Sequence, residues 1–109
     1  MANAYKNAKL AMTTSLADVY TCPSATEAII LGIQIANVDG SVAADATVAW
    51  TDSSDSDTAT YLIKSATVEA GQAIPALTDK IVLEAGDKIQ AQASAASDLV
   101  CTVAVLEIS

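Results

Sequence analysis

The stretch Ile29-Ile30-Leu31-Gly32-Ile33-Gln34-Ile35-Ala36 decides the fold class. Its aliphatic residues recur at every second position, not every third or fourth. Ile29, Leu31, Ile33 and Ile35 form one row, and Ile30, Gly32, Gln34 and Ala36 form the other. A period of two marks a strand, because successive side chains leave an extended backbone on opposite sides. Working outward, Val48 and Trp50 alternate with Thr47, Ala49 and Thr51, and Tyr61 and Ile63 alternate with Leu62 and Lys64. Ile89, Ala91 and Ala93 alternate with Lys88, Gln90 and Gln92, the clearest in-out pattern in the chain. The last segment, Val100 to Ile108, is apolar on both faces. That suits a strand covered by the core on one side and by a neighbour on the other.

Turn signals separate these segments at short intervals. They are Pro23-Ser24, Asp39-Gly40-Ser41, the run 52–57, Glu69-Ala70-Gly71-Gln72, Glu84-Ala85-Gly86-Asp87 and the stretch 94–98. Gly71 and Gly86 are expected to supply the positive φ of a tight turn. Strands are expected near 5–13, 17–22, 27–38, 45–51, 59–68, 72–75, 79–84, 87–94 and 99–108. The 23 alanines argue for helix. However, they are broken up by Ser, Thr, Asp and Gly, and no stripe of large apolar residues at helical spacing accompanies them. The expectation is an all-β fold: an antiparallel β-sandwich, jelly-roll-like, with eight to nine short strands and no long helix. Residues 1–14 read as an N-terminal arm or edge strand, and 15–109 as the sandwich domain.

Composition narrows the function. The 109 residues include 13 acidic and 5 basic ones, for a net charge of -8, with no His and no Arg. Five lysines against this acidity make a nucleic-acid-binding patch hard to assemble. Without His there is no Ser-His-Asp triad and no imidazole ligand, and without Arg there is no bidentate anion fork. No enzymatic activity and no cofactor are expected. The N-terminus lacks the apolar core of a signal peptide, and the longest apolar stretch, residues 28–33, falls far short of a membrane span, so no membrane partner is expected.

Several residues invite a chemical reading. Asp52, Asp55 and Asp57 in TDSSDSD (51–57) could hold a calcium ion weakly through oxygen ligands, although the spacing is not that of an EF-hand; a solvated loop tip is the alternative. Asn37, Asp39 and Asp45 flank a loop, where such side chains bond to their own backbone. Trp50, in phase with Val48, is assigned to the core, and Tyr20 and Tyr61 to sheet ends with hydroxyls at a rim. Cys22 and Cys101 read either as free half-buried thiols or as a disulfide, a choice that spacing alone leaves open. Contact with another subunit is assigned to Tyr5, Lys6, Lys9 and Leu10 near the start and to Leu106 and Ile108 at the end.

Three segments carry a resemblance to a known family. VYTCPSATEAIILGIQIAN (19–37), IVLEAGDKIQAQAS (81–94) and VAVLEI (103–108) together resemble a pattern found in small virion proteins of tailed bacteriophages. There a Val-Tyr-Thr-x-Pro strand end leads into a long aliphatic strand ending in Asn, and a Leu-x-x-Gly-Asp-x-Ile hairpin follows. The resemblance implies a jelly-roll-like sandwich, commonly trimeric, that acts without catalysis. It points to a capsid decoration (cement) protein bound to the major capsid protein or another virion protein, on the outer surface of the head after synthesis in the host cytoplasm. Neck, tail or head-fibre components compete with it. A carbohydrate-binding sandwich is a further alternative, and it would need an exposed aromatic platform.

Overall fold

The computed structural model describes residues 3–109. The first two residues of the segment 1–14 lie outside the described residues. Nine strands form: β1 (Asn3–Ala11), β2 (Ala17–Thr21), β3 (Glu27–Asn37), β4 (Ala44–Asp52), β5 (Thr58–Val68), β6 (Ala73–Pro75), β7 (Ile81–Leu83), β8 (Lys88–Ala93) and β9 (Leu99–Ile108). The one helical piece among the described residues is a 3-10 turn, Ser53–Asp55. All nine expected strands are present, with β1 beginning earlier than its pattern suggested.

Two antiparallel sheets pack face to face. One runs β1-β9-β3-β6, with β7 beside β6 on the same edge of β3. The other runs β2-β8-β4-β5. The pairings are nested: β4 with β5, β3 with β6 and β7, β2 with β8, and β1 with β9. The chain is therefore one long folded-over hairpin wrapped around a core, which is the order of a jelly roll. The core between the sheets is made of Ile30, Ile33, Ile35, Val48, Leu83, Ile89, Leu99, Val103 and Val105, with Met12 closing one end. Gly71 and Gly86 both have positive φ, as their turns require. At Gly86 an added Cβ would also meet Ser53 Oγ at 3.0 Å.

The deciding stretch does not alternate without a break. Ile30 pairs with Val105, and the next paired residue is Gly32, opposite Ala104. Leu31 is thus the extra residue of a β-bulge. It resets the phase: Ala28 and Ile30 face the core before it, and Ile33, Ile35 and Asn37 after it. The expected row of Ile29, Leu31, Ile33 and Ile35 is therefore split. Ile29 and Leu31 point outward. A glycine inside a strand pattern is the local sign of such a bulge.

Candidate interaction face

The outer faces of the two sheets differ in chemistry. On the β2-β8-β4-β5 sheet, outward side chains bond to one another. Asp18 accepts from Gln90 Nε2 at 2.7 Å and lies 3.8 Å from Lys88 Nζ. Asp45 accepts from Thr67 Oγ1 at 2.9 Å, so it reaches across strands and not to its own backbone as expected. Thr47 Oγ1 accepts from Ser65 N–H at 3.0 Å, where a second bulge places Ser65 at positive φ. Lys64 lies 4.8 Å above the ring of Tyr61. Tyr61 thus lies on this outer face and not at a sheet end. This outer face is polar, with its side chains bonded to one another.

The outer face of the β1-β9-β3 sheet is of another kind. The register lines up Tyr5 with Leu106, Leu106 with Ile29, and Ile29 with Val82, so one apolar row crosses four strands. Tyr5 is 80% exposed and Val82 61% exposed. The bulge adds Leu31 beside this row, and Ile108 stands one pair further along. Next to it the surface turns flat and small: Ala104 opposite Gly32, then Thr102 opposite Gln34. Gly32, Pro75, Ile74, Leu77 and Ala104 help to line a shallow hollow of about 470 Å³ there. Gly32 meets nothing within 4 Å where a Cβ would stand, so a side chain at this position would occupy the hollow without crowding the fold. The apolar row is a strip across the sheet, and Asn7, Lys9, Thr102 and Gln34 share the rest of the face with it.

Of the six residues assigned to contact, Tyr5, Lys9, Leu106 and Ile108 lie on this face by register. Leu10 points inward, opposite Cys101, and packs against the core. Its strand position places it on the other side from Lys9. Lys6 shares that inward phase opposite Val105, but it is exposed at the sandwich edge. Ile29 and Leu31 join the face because the bulge splits the expected aliphatic row, and Val82 joins it through its pairing with Ile29.

The remaining chemical candidates prove structural. Asp52 accepts from Ser54 N–H and Ser54 Oγ, capping the 3-10 turn. The acidic groups that come within 4.8 Å of one another are Asp52, Glu84 and Asp87, not Asp52 with Asp55 and Asp57. Asp87 is buried, and its two oxygens accept from Ser53 N–H (2.9 Å), Ser53 Oγ (3.0 Å) and Glu84 N–H (2.9 Å). It staples the β4–β5 loop to the β7–β8 turn. Asn37 donates from Nδ2 to Val42 O and Val68 O, and its Oδ1 accepts from Asp39 N–H, each at 2.9 Å. Asp39 Oδ1 in turn accepts from Ser41 N–H at 2.8 Å. Tyr20 does close a sheet end: its hydroxyl donates to Glu107 Oε2 at 2.6 Å, and burial, reinforced by that bond, holds its pKa well above the usual phenol value. Trp50 lies opposite Ile89 and packs against the core while remaining partly exposed.

Both cysteines are free and buried. Cys22 Sγ lies 3.3 Å from Thr26 O, just before β3, whereas Cys101 is opposite Ile35 near the far end of that strand. Nine residues of strand, about 30 Å, separate the two levels, far beyond disulfide reach. Burial pushes the Cys101 thiol up to about 12 and also raises that of Cys22.

No protein-family model matches the sequence, and no curated protein matches it. Solved structures share its fold. A chain of the Bacillus endospore appendages, a family of disulfide-linked pili, superposes with a TM-score of 0.58 at 11% identity, over 99% of this chain and 87% of the other. A chain of the acid-stable capsid of Helicobacter pylori bacteriophage KHP30 superposes with a TM-score of 0.56 at 12% identity, over 100% of this chain and 94% of the other. At these identities the likeness is one of fold.

Proposed function

We propose that this chain is a non-enzymatic structural protein of a phage virion, and specifically a decoration (cement) protein that binds the capsid lattice. One observation carries the reading: the sandwich has one polar, internally bonded outer face and one outer face crossed by an apolar row, the latter built by the β1-β9-β3 sheet. The near end-to-end fold match to a chain of a phage capsid supports it. The apolar face is the side laid against the shell, with Tyr5, Leu106, Ile29 and Val82 in contact. The acidic loops and the opposite sheet face solvent, and the net charge of -8 keeps coated particles apart. Many copies on a symmetric lattice turn a modest contact into tight attachment.

The competing readings lose ground on particular residues. A carbohydrate platform would need Trp50 or a tyrosine exposed beside the acidic loops; Trp50 packs against the core, and the exposed ring of Tyr61 is already occupied by Lys64. A disulfide-linked filament would need an accessible thiol, and both thiols are buried. Quantitative mass spectrometry of the purified particle tests the role. Hundreds of copies per particle support decoration, whereas tens or fewer place the chain in a neck, tail or fibre. Absence from the particle overturns the reading. Leu106→Lys, whose side chain points away from the core, is expected to leave the fold intact and to release the protein from the shell.

A further inference from the structure

Sheet edges expose unpaired backbone, and three of this sandwich's edges are blunted. β2 is short and bulged between Asp18 and Tyr20. β5 is bulged, with Ser65 at positive φ beside Lys64. The β6/β7 edge consists of two three-residue strands, one ending in Pro75. Such devices suppress pairing with other chains. β1 has no bulge, no proline and full length; Lys6 and Lys9 are the one protection of this kind it carries, and a partner strand must seat both away from like charge. It runs nine residues in unbroken register with β9.

The outward groups of β1 can be identified. Met12 N–H donates to Leu99 O at 2.9 Å, extending the β1–β9 register by one pair. Backbone groups alternate in direction along a strand, so Leu10, Ala8 and Lys6 turn theirs towards β9, and Tyr5, Asn7, Lys9 and Ala11 turn theirs away. Among the described residues none of those outward groups is hydrogen-bonded.

We propose that this edge pairs antiparallel with the β1 edge of a second copy, about a two-fold axis at Asn7. Asn7 is the midpoint of the strand Asn3–Ala11, so a register centred there engages the whole strand. It places Tyr5 of each copy opposite Lys9 of the other, an aromatic-cation pair like that of Tyr61 and Lys64 within the chain. Lys6 falls opposite Ala8, and Leu10 opposite Ala4. No like charges stand directly opposite. Registers centred on Lys6 or Lys9 would set two lysines face to face, and one centred on Ala8 would leave Asn3 unpaired. The axis stands perpendicular to the sheet, so the two apolar outer faces lie side by side and form one surface of twice the area. This pairing is a property of the chain alone and does not depend on the capsid role.

Sedimentation of the full chain over a concentration series, with no particle present, tests it. The wild type is expected to form a reversible dimer. Asn7→Lys and Asn7→Asp each place like charges on the axis and are expected to weaken that dimer by roughly tenfold. An equimolar mixture of the two variants restores it as a heterodimer. The Asn7 side chain is exposed, and circular dichroism is expected to show all three proteins folded alike. A wild type that stays monomeric overturns the proposal. So does a dimer or trimer that neither variant weakens, or a mixture that does not recover.

Discussion

Asn37→Asp replaces one amide nitrogen with oxygen and changes almost nothing in shape. Asn37 is 3% exposed, and its Nδ2 holds Val42 O and Val68 O, tying the β3–β4 loop to the end of β5. The exchange removes both donors, each contributing about 1 kcal/mol net. It also leaves the Val68 carbonyl beside an oxygen that cannot donate, at a cost of about 1–3 kcal/mol. The expected loss near neutral pH is therefore about 4 kcal/mol, a large share of the ~5–15 kcal/mol a domain possesses. Its thermal midpoint should fall by roughly 15–30 °C. The sign of the pH dependence follows from the same contacts. The surrounding carbonyls disfavour the charged carboxylate, so its folded pKa lies above the unfolded value of about 3.9. The variant should thus be relatively more stable below that value and lose stability as pH rises through the folded pKa. In acid the neutral carboxyl regains one donor, and about half the loss should return. Urea unfolding followed by Trp50 fluorescence and circular dichroism, at about pH 3 and pH 7, measures both effects. A loss under about 1 kcal/mol, or one that is equal at the two pH values, would refute the assignment of the Asn37 donors as the tie.

Deletion of Leu31 should leave a folded protein, since it removes the bulge and leaves Ile30 and Ile33 facing the core, while deletion of Ile33 should unfold it; circular dichroism separates the two outcomes. A thiol reagent should label Cys22 and Cys101 only as fast as the chain unfolds, and non-reducing mass analysis should find no disulfide. Asp98 is held above the usual carboxylate value, by desolvation first and then by the charge of Asp39, whereas Asp39 is held below it by the Ser41 amide. The contribution of Asp98 is therefore present in acid and lost as pH rises above about 4, so Asp98→Asn should flatten that part of the pH–stability curve and leave the protein at least as stable at neutral pH.

Much of the fold was legible because strands announce themselves by a local period, and turns by Gly, Pro and Asp. The 88–93 segment, with its strict alternation of Lys or Gln and Ile or Ala, is in the structure what it is in the sequence. Phase across a bulge is different. Nothing in Ile29-Ile30-Leu31 distinguishes inward from outward when all three are aliphatic, and the register is set by β9, about 70 residues away in the chain. The same limit hid Tyr61, whose position depends on bulges in the β4–β5 pairing. The staple at Asp87 was hidden for another reason. Its partners Ser53 and Glu84 meet only once two loops are brought together by the sheets.

The nested topology explains why the proposed contact face lies where it does. A chain folded over on itself brings its first and last strands together, so β1 and β9 are neighbours at the open side of the sheet. β9 is thereby central in its sheet, between β1 and β3, and its inward residues Val103 and Val105 are in the core. Only its outward residues remain to explain, and Leu106 and Ile108 are apolar where the opposite sheet carries Gln90 and Lys88. A 109-residue sandwich buries too little surface to waste aliphatic side chains on water. In the proposed role, the outward apolar row is the surface that the assembly would cover. Its placement on the strands that close the jelly roll means that covering it would also clamp the first strand onto the last. Contact with a neighbour would then stabilise the sandwich that makes the contact.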